Sequence, residues 1–213
     1  MPGVWRPSGA SPLSPRALRM QQRLEGVLTL AGLAPKEASL AMESFRMAMD
    51  LRGAFVVEED DHRFLHPARS LLVLLQDGGE RRPDLLAAAP LVESLEPDLL
   101  GEVAAVAPEP IEAVLAGLPA LPGGLGETAG PDAEARWLEE LVLAEPGIQK
   151  LILSEALDQL RHLHLRPDGP FRNRILRRAE GILVPLAHRV GGALDRRMGW
   201  WWNRVGQRLG TSG

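Results

Sequence analysis

The chain has 213 residues, a formal net charge of −4 and no cysteine, and 45% of its residues are hydrophobic. This length and composition are typical of a globular domain with a full core, and the lack of cysteine excludes a disulfide framework and a thiolate zinc site. No run reaches the ~18 apolar residues needed to span a bilayer, and the N-terminus lacks the apolar segment of a secretory signal. Cytoplasmic residence without a transmembrane segment is therefore predicted.

Charge is unevenly distributed along the chain. Residues 160–213 contain 11 arginines and three acidic residues, whereas the preceding part is acidic overall. The basic segment can dock on the acidic remainder of the same chain, or it can attract a phosphorylated ligand. Because the whole chain is acidic, no nucleic-acid partner is expected.

Helical periodicity extends through most of the chain. Residues 1–14 are rich in Pro, Gly and Ser and are predicted to form a flexible N-terminal tail. Beyond them, apolar residues recur at helical spacing between Gly and Pro breaks, and no segment of useful length alternates as a strand does. Residues 15–213 are therefore predicted to form a single all-α domain, a multi-helix bundle. The predicted helices include residues 16–31, 35–52, 110–118, 132–144 (capped by Asp132), 147–165 and 194–209.

The stretch Leu65–Asp98 is predicted to form two short apolar helices joined by a Gly-Gly turn. His66 begins the first helix, and the small-residue tract Ala87–Leu91 lies near the end of the second. Acidic residues follow that tract at Glu93 and Glu96. A histidine at one helix start and carboxylates at another helix end can converge on one pocket.

Several motifs of this chain occur, in the same order, in the hydrolase domain of RelA/SpoT proteins, which degrade the alarmone (p)ppGpp. They include His66-Pro67, Gly78 and the segment ILVPLAHRVGG at Ile182–Gly192. The chain resembles this family over residues 36–205. The resemblance implies an all-α fold of the HD superfamily and, in active members, one divalent metal, usually manganese.

The resemblance implies metal ligands at His66, Val92, Glu93 and Asp158. Histidine and carboxylates suit such a site, but Val92 stands where the family has a histidine and cannot bind a metal. Losing one ligand of four weakens binding severely. Of the acid pair that positions the attacking water in the family, only the catalytic candidate Glu96 is retained.

A further departure from the family concerns charge. Four consecutive acids, Glu58–Asp61, replace a basic tract that helps to hold the nucleotide in the family, and they predict a solvated acidic loop. The chain is therefore predicted to be a divergent, catalytically impaired relative that acts by binding a nucleotide or a protein.

In an alternative interpretation, a rearranged set of ligands still binds a metal. Asp158 and His162 are four residues apart in one predicted helix and share a face. His66, Glu93, Asp158 and His162 can then form a set of two histidines and two carboxylates that suits manganese, zinc or iron. This arrangement predicts an active metal-dependent phosphohydrolase of (p)ppGpp or a related phosphorylated nucleotide. The competing interpretation pairs Asp158 with Arg161 or another arginine and places His162 at the surface or in a groove.

Two further predictions concern two other histidines and three consecutive tryptophans. His62 and His164 are predicted to be solvated. Trp200, Trp201 and Trp202 are consecutive, and helix positions ~100° apart cannot all face one core. With arginines on both sides, the three predict an interface for a homodimer or a protein partner through the C-terminal helix. The alternative is a terminal helix with two of the three buried. The interface interpretation makes the chain a dimerisation or interaction module.

Overall fold

The structure is a computed structural model that describes residues 13–54, 61–94, 107–119, 130–165 and 169–211. Every regular element in these ranges is helical, which confirms the all-α prediction. None of these helices is long and apolar enough to cross a membrane. The α-helices are α1 (Pro15–Leu30), α2 (Pro35–Ala54), α3 (His66–Gln76), α4 (Pro83–Ala88), α5 (Glu109–Ala116), α6 (Pro131–Leu143), α7 (Pro146–Arg161), α8 (Gly169–Arg178), α9 (Val184–Val190), α10 (Gly192–Trp201) and α11 (Gln207–Thr211).

Shorter helical turns connect or extend these helices. Turns of 3-10 type cover Ala89–Ser94 and Leu163–Leu165, and π-helical turns cover Ala179–Leu183 and Trp202–Gly206. The prediction of one helix over 147–165 is therefore wrong at its end. The α-helix ends at Arg161, and His162 is its cap. The backbone N–H of His162 donates to the backbone oxygens of Gln159 and Leu160.

Proline sets the start of many helices, because it lacks the N–H that the first turn leaves without a partner. In α6 this corrects the prediction that Asp132 is the cap. The helix begins at Pro131 with Gly130 as its cap, two residues before the predicted cap, and Asp132 lies in the first turn. A carboxylate there interacts favourably with the helix dipole. At the start of α1, the cap is Ser14, whose side-chain oxygen accepts a hydrogen bond from the backbone N–H of Ala17.

The core consists of two clusters of buried apolar side chains that meet at α3 and α7. The first cluster is built from α1 to α5 and the second from α6 to α10, and both α3 and α7 contribute to each. α3 and α7 also pack directly against each other. This packing places the start of α3, with His66, beside the last turns of α7, with Asp158.

We expect Gly206→Ala to lower the free energy of unfolding by about 1–2 kcal/mol, because it overpacks the end of the second cluster. A Cβ at Gly206 would lie 2.9 Å from the ring of Trp201 and closer still to the ring of Trp202. Urea unfolding measures the loss. Gly199→Ala is the matched control in α10: its Cβ meets nothing within 4 Å. The control is expected to be neutral or stabilising by up to about 1 kcal/mol, so equal losses in both variants contradict the prediction.

Candidate functional site

The centre of the site is a triad of His66, Arg69 and Asp158, in which the histidine and the carboxylate are buried. Nδ1 of His66 donates to Oδ2 of Asp158 at 2.7 Å. Nε of Arg69 lies 2.9 Å from Oδ1 and 3.0 Å from Oδ2 of the same carboxylate. The side chains of His66 and Asp158 are only 3% and 2% exposed. Both oxygens of Asp158 therefore face cationic or N–H donor groups inside the protein.

Glu155, one turn before Asp158 on α7, extends the triad on its buried side. Its Oε1 lies 3.6 Å from Nε2 of His66 and accepts a hydrogen bond from Nε2 of Gln159. The imidazole thus has one carboxylate near each ring nitrogen. Since the imidazolium carries protons on both nitrogens, this arrangement favours its charged form.

The two titrating members of the triad have shifted pKa values in opposite directions. Burial alone lowers the pKa of His66, but the hydrogen bond to Asp158 and the proximity of Glu155 outweigh it, so the pKa is raised above its usual value. Burial alone raises the pKa of Asp158, yet the hydrogen bond and charge of His66, together with Arg69, lower it to about 2. The pair is accordingly an ion pair at mildly acidic pH.

A cleft of about 310 Å³, partly open to solvent, lies over this triad. The rings of His62 and His162 stack at its mouth, with centroids 6.0 Å apart and planes inclined by 22°. Nδ1 of His162 donates to the backbone oxygen of Asp158 at 2.8 Å, and Arg69 donates to the backbone oxygen of His62 at 2.7 Å. We call this space the histidine cleft. Its lining residues are His62, Arg63, His66, Arg69, Asp158, Gln159, His162, Leu163, Phe171 and Ile175.

Arg63 adds a second guanidinium to the histidine cleft. It forms a forked pair with Asp61, with Nε 3.0 Å from Oδ1 and Nη2 2.6 Å from Oδ2. This side-chain pairing holds the pKa of the Asp61 carboxyl well below its usual range. Asp61 is thus paired and partly buried, unlike a fully solvated acid, and Glu58–Asp60 lie outside the described residues.

Sequence reasoning located part of this site. Of the four predicted metal ligands, the structure brings His66, Asp158 and His162 together, with Nδ1 of His162 3.9 Å from Oδ2 of Asp158. Glu93 belongs to the 3-10 turn Ala89–Ser94, but its side chain lies outside the described residues, as does Glu96. The prediction that His62 is solvated is wrong, because its ring stacks on His162; His164 is exposed, as predicted.

Arg69 and Glu155 were missed, although each follows helical spacing from a predicted ligand. Arg69 is three residues after His66 on α3, and Glu155 is three residues before Asp158 on α7, so each shares a face with that ligand. Only the packing of α3 on α7 shows that the two faces meet. The competing interpretation of Asp158, pairing with an arginine, matches the structure. Its partner is Arg69, while Arg161 contacts Asp77.

The described residues do not fit a divalent metal. Among them, no group of three or more His, Asp or Glu side chains is placed to hold one ion. The best donor, Asp158, already has His66 and Arg69 at its two oxygens, and a guanidinium at that distance repels a second cation. We therefore derive no metal-dependent step for this cleft.

The three tryptophans divide between core and surface. Trp201 is buried in the second cluster at 3% exposure, Trp202 is half-buried, and Trp200 is 62% exposed. The expectation that three consecutive helix positions cannot share one core is confirmed. Their role as an interface stays a prediction.

Comparison of the sequence with protein-family models and with curated proteins gave no match. Membership of the RelA/SpoT hydrolase family therefore stays a prediction from the motifs of this chain, and the site is interpreted from its own geometry.

Proposed function

We propose that this protein binds a phosphorylated small molecule of the nucleotide class in the histidine cleft, as a catalytically impaired relative of the RelA/SpoT hydrolase domain. The observation that carries the proposal is the state of Asp158. In the family the corresponding carboxylate is expected to hold the metal, whereas here His66 and Arg69 occupy both of its oxygens. The described residues of the cleft accordingly lack a metal-binding arrangement, and the guanidinium of Arg69 takes the position of a cation beside Asp158.

The character of the cleft walls supports an anionic ligand. Two guanidinium groups, of Arg63 and Arg69, and the rings of His62, His66 and His162 line it. Arginine binds phosphate oxygens through paired N–H donors that match their geometry. Each of these arginines also pairs with a carboxylate, Arg63 with Asp61 and Arg69 with Asp158. A guanidinium carries five N–H donors, more than one carboxylate accepts.

The apolar part of the lining suits an apolar or planar group. It consists of Leu163 and Ile175, which are buried, and Phe171, which is half-buried. The enclosed space of the cleft is only about 20 Å³, and the rest of its volume is open to solvent. A nucleotide would therefore bind across the mouth of the cleft, with its phosphate towards the arginines.

The test is calorimetric titration of the full chain with (p)ppGpp, with GDP and with inorganic pyrophosphate, in the presence of EDTA. We expect binding of the nucleotides that weakens about tenfold in His162→Ala or in Arg63→Gln, the size expected for a lost charge-assisted hydrogen bond. His164→Ala is the matched control, because His164 is exposed and does not line the cleft.

Absence of binding by every nucleotide, or an equal loss in His162→Ala and His164→Ala, contradicts the proposal.

A second assay addresses the alternative of an active phosphohydrolase. The chain is incubated with (p)ppGpp and Mn²⁺, and release of pyrophosphate is followed. Our proposal predicts binding without turnover. Metal-dependent turnover that is lost in Asp158→Asn establishes the alternative, with Arg69 displaced from the carboxylate by the ion.

A further inference from the structure

A second and larger groove lies at the opposite end of α3 from His66. Its volume is about 390 Å³, which is within the range of small-molecule sites. Its walls come from the end of α3, the end of α7 and the second half of α10. We call it the tryptophan groove, and its lining residues are Gln76, Asp77, Arg161, Arg197, Trp200 and Trp201.

Asp77 positions two arginines at the base of the tryptophan groove. Nη2 of Arg161 lies 3.1 Å from one carboxylate oxygen, and Nε of Arg197 lies 3.5 Å from the other. Asp77 is only 15% exposed, whereas Arg161 and Arg197 are 35% and 63% exposed. Two guanidinium groups share one carboxylate, so the trio keeps a net positive charge. Each guanidinium has five N–H donors, more than this pairing uses.

Trp200 supplies an aromatic surface next to those donors. It is 62% exposed, and the buried ring of its neighbour Trp201 anchors the same helix in the core. The side chains exposed beside it on this helical run are basic or neutral: Arg196, Arg197, Asn203, Arg204, Gln207 and Arg208. This charge argues against a second copy of the same face as the partner, because two such surfaces repel each other.

We propose that the tryptophan groove is a second binding site, for a nucleoside phosphate whose base stacks on Trp200 and whose phosphate binds Arg161 and Arg197. Aromatic stacking accepts any base, since every base has a π-face, and arginine pairs bind phosphate. None of the residues of the histidine cleft takes part, so this site is independent of the function proposed above.

The test follows the indole N–H resonances of the full chain by ¹H–¹⁵N NMR during titration with GMP, with guanosine and with inorganic phosphate. Trp200→Leu identifies the resonance of Trp200. We expect GMP to shift that resonance at lower concentration than either guanosine or phosphate, because only GMP has both groups. Arg197→Gln should weaken the response to GMP about tenfold.

Two control variants distinguish binding in the tryptophan groove from nonspecific attraction by surface charge and from binding in the histidine cleft. Arg196→Gln removes an exposed arginine of the same helix that does not line the groove, and it should leave the affinity within about twofold. His162→Ala should leave the shift of Trp200 unchanged. An unmoved Trp200 resonance at millimolar GMP, or equal losses in Arg196→Gln and Arg197→Gln, overturns the inference. A shift of Trp200 that disappears in His162→Ala overturns it too, and assigns the nucleotide to the histidine cleft.

Discussion

Replacing Asp158 with alanine is expected to lower the free energy of unfolding by about 3–5 kcal/mol, the loss typical of breaking a buried ion pair by removing one partner. The substitution leaves Nδ1 of His66 and Nε of Arg69 without the carboxylate that lies 2.7–3.0 Å from them. His66 and Asp158 are both nearly fully buried, so water replaces these hydrogen bonds poorly. Chemical denaturation monitored by circular dichroism measures the loss.

Asp84→Ala is a matched control for that measurement. Asp84 also pairs with an arginine, with Nη2 of Arg82 2.7 Å from its Oδ2, but the arginine is 46% exposed and the pair is at the surface. Exposed pairs contribute about 1 kcal/mol or less. If Asp158→Ala and Asp84→Ala lower the free energy of unfolding equally, the triad stabilises the fold no more than a surface ion pair does.

The second large effect is a dependence of stability on pH that this triad causes. Asp158 has a pKa of about 2 in the folded protein against 3.8 ordinarily. Its contribution, about 2 kcal/mol from such a shift, is therefore present above about pH 4 and lost as the pH falls towards 2. The folded pKa of His66 is raised above 6.5, so its contribution is complete below that pH and is lost as the pH rises through the folded pKa.

The two contributions overlap between about pH 4 and 6.5, and the triad should stabilise the protein most in that window. The measurement is urea unfolding across the pH range for the native chain and for His66→Gln, which removes the titrating imidazole. We expect the difference in stability between the two to shrink above pH 6.5. A difference that stays constant from pH 5 to pH 9 means that folding does not shift the pKa of His66, and contradicts the prediction.

The predictions from sequence were most accurate where local chemistry decides the outcome. Helical periodicity, with Pro at helix starts and Gly at helix ends, predicted α1 and α2 within two residues. It also located His66 at the first position of α3. The errors at Asp132 and at the end of α7 are shifts of a helix end. Several residues can serve as a cap there, and packing selects among them.

The partners of the site were not predictable in the same way. The contacts of Asp158 with His66 and Arg69 join residues 92 and 89 positions apart. A carboxylate near one histidine is equally compatible, in sequence, with a metal and with an arginine. The choice depends on which face of α3 packs on α7, because that packing brings Arg69 within hydrogen-bonding distance of Asp158.

The amino-acid sequence by itself determined the helical class of this protein, most helix bounds and the rule that three consecutive tryptophans cannot all be buried. These follow from backbone sterics and from the 3.6-residue period, which act within a few positions of the chain. The tertiary structure alone decided that Arg69 forms hydrogen bonds with the carboxylate of Asp158 and that Glu155 lies near His66. It also decided that Trp200 is the exposed tryptophan, beside Arg161 and Arg197. Those outcomes depend on the relative placement of helices far apart in sequence, which burial of the shared apolar core sets.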